Sequence, residues 1–142
     1  MIILDTNVIS AIMVPDLNPV PLAWLDKQPR HLIWTTAINV LENRAGLLLL
    51  PIGKRRTAMI EIYDRLLSEL MDQRILAFDA LAAEISASVS AKRIARGINI
   101  TTEDTQIAGI ALAHGATLAT RNVKDFADLD IPLVNPWAGR PA

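Results

Sequence analysis

Short apolar runs alternate with longer amphipathic segments along this chain. Ile2 to Leu4 is an apolar, β-branched run, which is typical of a strand buried on both faces of a sheet. Similar short runs occur at residues 32–34, 74–78, 117–120 and 133–134. Patterns with helical spacing lie between them, at residues 8–13, 37–50, 54–71, 79–96 and 101–114. This alternation predicts one α/β domain over residues 1–142, with a mainly parallel central sheet covered by helices on both faces.

An acidic residue, Asp5, stands directly after the first predicted strand. In open parallel sheets ligands bind at the carboxyl ends of the strands, because the loops that leave the strands open there. The simpler interpretation is that Asp5 caps the helix that begins near Thr6. The other acidic residues of the chain decide between these two interpretations.

Two more acids lie on the predicted inward faces of helices. Glu42 falls in the middle of an apolar face on the helix over 37–50, and Asp104 shares the apolar face of the helix over 101–114. The apolar face around Glu42 is formed by Ile38, Leu41, Ala45, Leu48 and Leu49. A buried, unpaired carboxylate is costly in free energy, so Glu42 requires a cation, a strong hydrogen-bond donor or an opening to water. Gly46, one helical turn further on, leaves room above Glu42. A structural ion pair at Glu42 and a helix-dipole interaction at Asp104 are the alternatives.

Polar residues also follow the strand predicted at 117–120, where Asn122 or Asp125 can join the three acids. Converging oxygen ligands suit Mg²⁺ or Mn²⁺, since clustered carboxylates repel one another unless a cation offsets their charge. Such a site is suited to the hydrolysis of phosphodiester bonds and needs no nucleophilic side chain. The two histidines, His31 and His114, lie at element ends, where capping is the expected role, and the chain lacks the glycine-rich phosphate loops and the nucleophile-elbow motif.

Composition narrows the expected location and partners. The chain has no cysteine, which excludes disulfides, thiolate zinc sites and cysteine nucleophiles. With no secretory signal and no apolar run of bilayer length, the expected location is the cytoplasm and no membrane partner is expected. The net charge of −1 gives no overall attraction to nucleic acid, which must then be bound by local patches. The densest such patch is Lys54-Arg55-Arg56.

Four segments together resemble a known family. They are MIILDTNVIS at residues 1–10, TTAINVLENRAGLLLLP at 35–51, TTEDTQIAGIALAHGATLATRNVKDF at 101–126, and NPW at 135–137. In this order and spacing they resemble PIN-domain ribonucleases, specifically VapC-type toxins of the FitB-like group. The resemblance implies a PIN-like fold and an endoribonuclease that depends on Mg²⁺ or Mn²⁺. It also implies a homodimer and a cognate antitoxin that blocks the site and anchors the pair to operator DNA.

The resemblance gives the metal-site quartet, and position and charge in the sequence give the other candidate residues. The family's quartet of metal-site residues maps onto Asp5, Glu42, Asp104 and Asn122, and Asp125 is a further candidate ligand. The candidate RNA contacts are Thr6, Asn7, Lys54, Arg55, Arg56 and Arg121. The family commonly has Thr-Val-Ala-Glu-Leu or Thr-Val-Ala-Glu-Ile where this chain has Asn39-Val40-Leu41-Glu42-Asn43, and some members carry Asp at the Asn122 position.

Two other functions are compatible with parts of the sequence. A catalytically inactive PIN-like module that only binds its partner fits the neutral Asn122. A receiver-type signalling domain also gathers acids around Mg²⁺, and usually has an acidic pair after its first strand and a lysine after its fifth. Here Asp5 has no acidic neighbour and no lysine follows Val134, so the receiver is the weaker alternative.

Overall fold

The computed structural model describes residues 1–138, which contain a five-stranded parallel sheet. The strands are β1 (Ile2–Leu4), β2 (Ile33–Thr36), β3 (Ile75–Leu76), β4 (Thr117–Ala119) and β5 (Leu133–Val134). They lie in the order β3-β2-β1-β4-β5, and every neighbouring pair is parallel. The predicted parallel sheet is therefore confirmed, while the last four residues of the predicted domain, 139–142, lie outside the described residues.

Six α-helices connect the strands of the described chain. They are α1 (Thr6–Ile12), α2 (Pro19–Asp26), α3 (Ala37–Leu48), α4 (Lys54–Arg65), α5 (Ala80–Ala95) and α6 (Thr102–His114). Side chains cap three of these helices, since oxygens of Thr36, Asp79 and Thr101 accept backbone N–H groups in the first turns of α3, α5 and α6. Gly115 ends α6 in the left-handed conformation, at φ 58°.

The helices cover both faces of the sheet, as predicted. Successive side chains of a strand point to opposite faces, so Ile3 packs with Ile107 and Leu118 in one core, and Leu4 packs with Val8 and others in a second. Helix α3 contacts α1 as well as α6, which belong to opposite layers, and thus lies across the carboxyl edge of the sheet. This position brings α3 over the ends of the strands.

The prediction that the apolar residues of α3 form its buried face is wrong. Leu41 is 62% exposed and Leu48 is 58% exposed, and Ala45 and Leu49 are also exposed. The residues of α3 that are buried are Ile38, Asn39, Asn43 and Leu47. Periodicity assigned the apolar residues to the core, but the surface that α3 meets at the sheet edge is polar, so two asparagines occupy the buried face instead.

The strand order places a switch point at β1. From β1 the chain adds β2 and then β3 on one side, and it later returns to add β4 and β5 on the other side. The loops after β1 and β4 therefore leave in opposite directions, which opens a crevice at their carboxyl ends. Among the described residues, no helix is long and apolar enough to cross a membrane.

Candidate active site

Six of the predicted site residues meet in one cleft at this switch point. A cavity of about 210 Å³ is lined by side chains from the ends of β1 and β4 and from two helices. Its lining residues are Asp5, Thr6, Asn7, Glu42, Asp104 and Asn122. Three carboxylates that are remote in sequence thus reach the same crevice, because α3 lies over the sheet edge and α6 begins there.

Asp5 is both a helix cap and the most buried acid of the cleft, so the two interpretations of this residue hold together. It is 4% exposed, and its Oδ1 accepts the backbone N–H of Thr6 at 2.8 Å. Its Oδ2 accepts the hydroxyl of Thr120 at 2.7 Å. The Asn39 amide donates to Oδ1 at 3.1 Å. These donors fix the carboxylate in one orientation.

A chain of hydrogen bonds joins Asp5 to Glu42. The hydroxyl of Thr6 donates to Glu42 Oε1 at 2.8 Å and accepts from Asn39 Nδ2 at 3.1 Å. Asn39 is fully buried, and its Oδ1 accepts the hydroxyl of Thr36 at 2.7 Å. Asn39 therefore holds Asp5 and the Thr6–Glu42 pair at a set separation. The Asn39 side chain thus supports the two carboxylates with hydrogen bonds, from the position where the family that the sequence resembles commonly has threonine.

Three carboxyl groups share the cleft, and no basic side chain is among its lining residues. Burial raises the pKa of Asp5, although its hydrogen bonds with Thr120, Thr6 and Asn39 act in the opposite direction. Burial is also the main reason that the pKa values of Glu42 and Asp104 are raised, and the negative charge of Asp5 raises both further. The three carboxyl groups thus disfavour one another's ionisation, which is the electrostatic condition for binding a cation.

The raised pKa of Glu42, which is caused mainly by burial and further by the charges of Asp5 and Asp104, predicts a stability effect for Glu42→Gln. The folded-state pKa of Glu42 lies above its usual value of 4.5, so protonated Glu42 stabilises the fold relative to ionised Glu42. This contribution to stability is fully present below pH 4.5. The stability is lost as the pH rises through the raised pKa. In EDTA at pH 7.5, Glu42→Gln is expected to melt at or above the temperature of the wild type, and the difference should disappear near pH 4. Thermal unfolding monitored by circular dichroism at the two pH values measures this.

Metal provides the matched comparison for that experiment. Added Mg²⁺ should raise the melting temperature of the wild type more than that of Glu42→Gln, because a ligand that binds only the folded state stabilises it by mass action. A Glu42→Gln protein that melts clearly below the wild type at pH 7.5 without metal would instead identify Glu42 as a structural ion-pair partner.

The turn after β4 places Asn122 and Asp125 differently. Asn122 lines the cleft, whereas Asp125 does not, although its charge is close enough to raise the pKa of Asp5 and of Asp104. Arg93 on α5 holds this turn, since its Nη2 donates to the carbonyl of Asp125 at 2.6 Å and pairs with Asp128 at 3.0 Å. Asp125 is therefore fixed beside the cleft by its backbone.

The cleft fits a hydrated divalent cation. Within residues 1–138 there is no group of three acidic or histidine side chains that could hold a metal ion by themselves. Mg²⁺, however, keeps several of its waters and is usually bound through one or two carboxylates. The cleft offers only oxygen ligands of the kind that hard cations prefer, and its volume of about 210 Å³ leaves room for water between them.

The predicted basic contacts divide into two groups. Arg121 adjoins the cleft: its backbone N–H donates to Asn7 Oδ1 at 3.1 Å, and its guanidinium lies 4.9 Å from the centre of the Trp137 ring. The patch Lys54-Arg55-Arg56 forms the first turn of α4 and does not line the acid cleft. Any role of that patch in binding must be played outside the cleft.

Thr120 and Asn39 hold the side chains of the cleft in place, and neither was predicted as a site residue from the sequence. Thr120 is fully buried, donates to Asp5, and accepts from the side chain of Asn7 at 3.3 Å and the backbone N–H of Asn122 at 3.1 Å. The feature of the sequence that could have indicated Thr120 is a hydroxyl residue at the end of an apolar strand. The feature that could have indicated Asn39 is an amide residue in the first turn of a helix, three residues after the Thr36 cap.

Known proteins match the chain over almost its whole length. VapC ribonuclease Y4jK of Sinorhizobium fredii is 36% identical over 96% of this chain and 98% of that protein. Toxin FitB of Neisseria gonorrhoeae is 37% identical over 96% of this chain and 99% of that protein. Among solved structures, FitAB bound to an IR36 DNA fragment has a TM-score of 0.88 and 37% identity, and the match covers 96% of each chain.

The fold is thus shared with proteins of one class over almost the whole chain. The profile of the PIN domain matches residues 2–132 of this chain. The chain belongs to the PIN-domain family. This membership confirms the resemblance seen in the sequence and excludes the receiver-type alternative.

Proposed function

We propose that this protein is a metal-dependent endoribonuclease and the toxin of a toxin–antitoxin pair. The observation that carries the proposal is the convergence of Asp5, Glu42 and Asp104, from three separate elements, on one cleft where each pKa is raised. The names of two relatives, VapC ribonuclease and toxin FitB, support the same activity and biological role. A location in the cytoplasm is part of the proposal.

The roles of the residues follow from their contacts. Asp5, Glu42 and Asp104 would hold Mg²⁺ or Mn²⁺, with the amide oxygen of Asn122 as a neutral fourth donor. When bound, the cation supplies Lewis acidity that activates water and stabilises charge on the phosphate. Glu42 Oε1 accepts from Thr6, which leaves Oε2 to receive a proton from the attacking water. The backbone of Arg121 adjoins the cleft, and its guanidinium, which lies against Trp137, would bind a phosphate of the RNA.

A cleavage assay tests the proposal directly. The purified protein is expected to cut single-stranded or looped RNA with Mg²⁺ or Mn²⁺ and to stop when EDTA is in excess, because its own side chains offer no histidine pair or activated nucleophile in the cleft. The readout is the appearance of shorter fragments from an end-labelled RNA. Full activity in EDTA would contradict the proposal, and so would an absence of cleavage at any metal concentration.

An inactive PIN-like module is the second candidate, and the observation that favours it is the neutral Asn122. A metal titration addresses this position. We expect Asn122→Asp to lower the Mg²⁺ concentration for half-maximal cleavage, since it adds a charge to the cleft lining, and Asp125→Asn to raise it, since it removes a nearby charge. If Asn122→Asp leaves the titration unchanged while Asp125→Asn abolishes cleavage, then Asp125 is the fourth acid and Asn122 is not.

The proposed partners are RNA as substrate, a second copy of the chain, and an antitoxin. The antitoxin is supported by the match to FitAB, a complex that is bound to DNA in the solved structure. Contact with operator DNA is proposed only through the antitoxin, because the net charge of −1 gives the toxin itself no general attraction to DNA. Copurification of this protein with the product of the adjacent small reading frame checks the pairing.

A further inference from the structure

A second cavity adjoins the acid cleft. Its volume is about 260 Å³, and Thr6 and Glu42 line both cavities. From this shared wall it extends between α1, α3 and α4 to Met59 on α4. A group seated in the second cavity therefore lies directly beside the carboxylates of the cleft.

The lining of the second cavity suits a planar, uncharged group. Its apolar part consists of Met13, Leu47 and Met59, whose thioethers and methyl groups pack well against an aromatic face. Ser10 and Asn43 add neutral hydrogen-bonding groups. The lining contains no lysine, arginine or histidine, so the cavity does not suit a phosphate.

Positive charge lies beyond the far end of this cavity instead. Arg55 and Arg56 are four and three residues before Met59 on α4, so they share the helix face that Met59 presents, about one turn away. Among the described residues neither arginine has an ion-pair partner. Carboxylates, an apolar cavity and arginines thus follow one another across the surface. This order matches a cleaved phosphate, its attached base and the next phosphate of an RNA strand, and it favours RNA over an apolar protein side chain.

We propose that the second cavity is a subsite for one nucleobase, next to the bond that is cut, with Arg55 and Arg56 contacting the following phosphate. The inference rests on the proposed nuclease function and adds to it a source of sequence preference. Stacking and edge hydrogen bonds in such a cavity discriminate among bases, whereas phosphate contacts do not.

Gly46 makes the subsite testable without disturbing the fold. It lines the cavity, and a Cβ added there meets no atom within 4 Å. Leucine is also a better helix former than glycine, so Gly46→Leu should fill the cavity while α3 stays intact. Ala45→Leu is the matched control, because Ala45 is the adjacent exposed residue of α3 and does not line the cavity.

The experiment combines these variants with abasic RNA. A short RNA with one mapped cleavage site is prepared with an abasic ribonucleotide at each position in turn. For the wild type and Ala45→Leu, the abasic change at one position beside the cut should slow single-turnover cleavage about tenfold. Gly46→Leu should cut the intact RNA about tenfold more slowly than the wild type and should show no further loss at that position.

Binding supplies a readout that does not need catalysis. In an Asp104→Asn background the same RNAs are titrated by fluorescence anisotropy, since Asp104 does not line the second cavity. Preference for the intact over the abasic RNA should be present there and absent after Gly46→Leu. An RNA that is bound with this preference but never cut by the wild type would overturn the nuclease proposal and keep the subsite. An abasic penalty that survives Gly46→Leu would overturn the subsite and leave the cavity to another group, such as a side chain of a protein partner.

Discussion

Asp5→Asn is expected to lower the single-turnover rate of RNA cleavage on the order of 10²-fold or more at saturating Mn²⁺. The change removes a negative charge from the most buried position of the cleft, where the carboxylate is held by Thr6, Thr120 and Asn39. Asparagine has a similar volume, so the loss reports the changes in charge, ligand type and hydrogen-bond acceptors rather than a cavity. The measurement is a time course with an end-labelled RNA and enzyme in excess.

Asp26→Asn is the control for this variant. Asp26 is exposed at the end of α2, outside the cleft, so its substitution removes the same charge from the protein without touching the site. It should cleave at the rate of the wild type. An Asp5→Asn protein that is folded by circular dichroism and equally active would reduce Asp5 to a helix cap and would remove the central ligand from the proposed site.

The second large effect is expected at Asn39. Asn39→Ala should reduce the free energy of unfolding by about 2–4 kcal/mol, because it leaves a cavity and removes the partner of the buried Thr36 hydroxyl. It should also raise the Mn²⁺ concentration needed for half-maximal cleavage, since Asp5 and Thr6 both lose a donor that orients them. Urea unfolding and a metal titration of the cleavage rate measure the two effects.

Two further variants separate positioning from general destabilisation. Val89→Ala removes buried volume from α5, outside the cleft, so it should lower stability while the metal requirement stays at the wild-type value. Asn39→Thr, which introduces the residue common in the family, should restore part of the metal affinity through its hydroxyl. If Val89→Ala raises the metal requirement as much as Asn39→Ala does, then Asn39 has only a structural role.

The strand ends were predictable because they depend on local pattern. Apolar runs before Asp5 and before Arg121 indicate buried strands. A parallel sheet brings the carboxyl ends of its strands to one edge. Asp104 was predictable for a similar reason, since it follows the Thr101 cap on the inward side of α6. Each of these positions is set by the residues immediately around it.

The surroundings of Glu42 were not predictable in the same way. Helical periodicity gives a face for each residue but not the chemistry of the surface that the face meets. Asn39 and Asn43 are buried because donors and acceptors of α1 face them, while Leu41 stays exposed. Such an arrangement depends on contacts more than 30 residues apart in the chain, as between Asn39 and Thr6. The pattern of α3 alone contains no trace of those contacts.

Because β1 pairs with both β2 and β4, the cleft can form only late in the synthesis of the chain. Asp5 emerges among the first residues, but its partner Thr120 lies 115 residues later, and β4 must pair with β1 before that hydrogen bond can form. Contacts of such long range slow folding, because the entropy of closing a long loop must be overcome first. A polypeptide whose synthesis stops before β4 contains all three carboxylates but lacks Thr120 and Asn122, so the cleft stays incomplete until synthesis has passed β4.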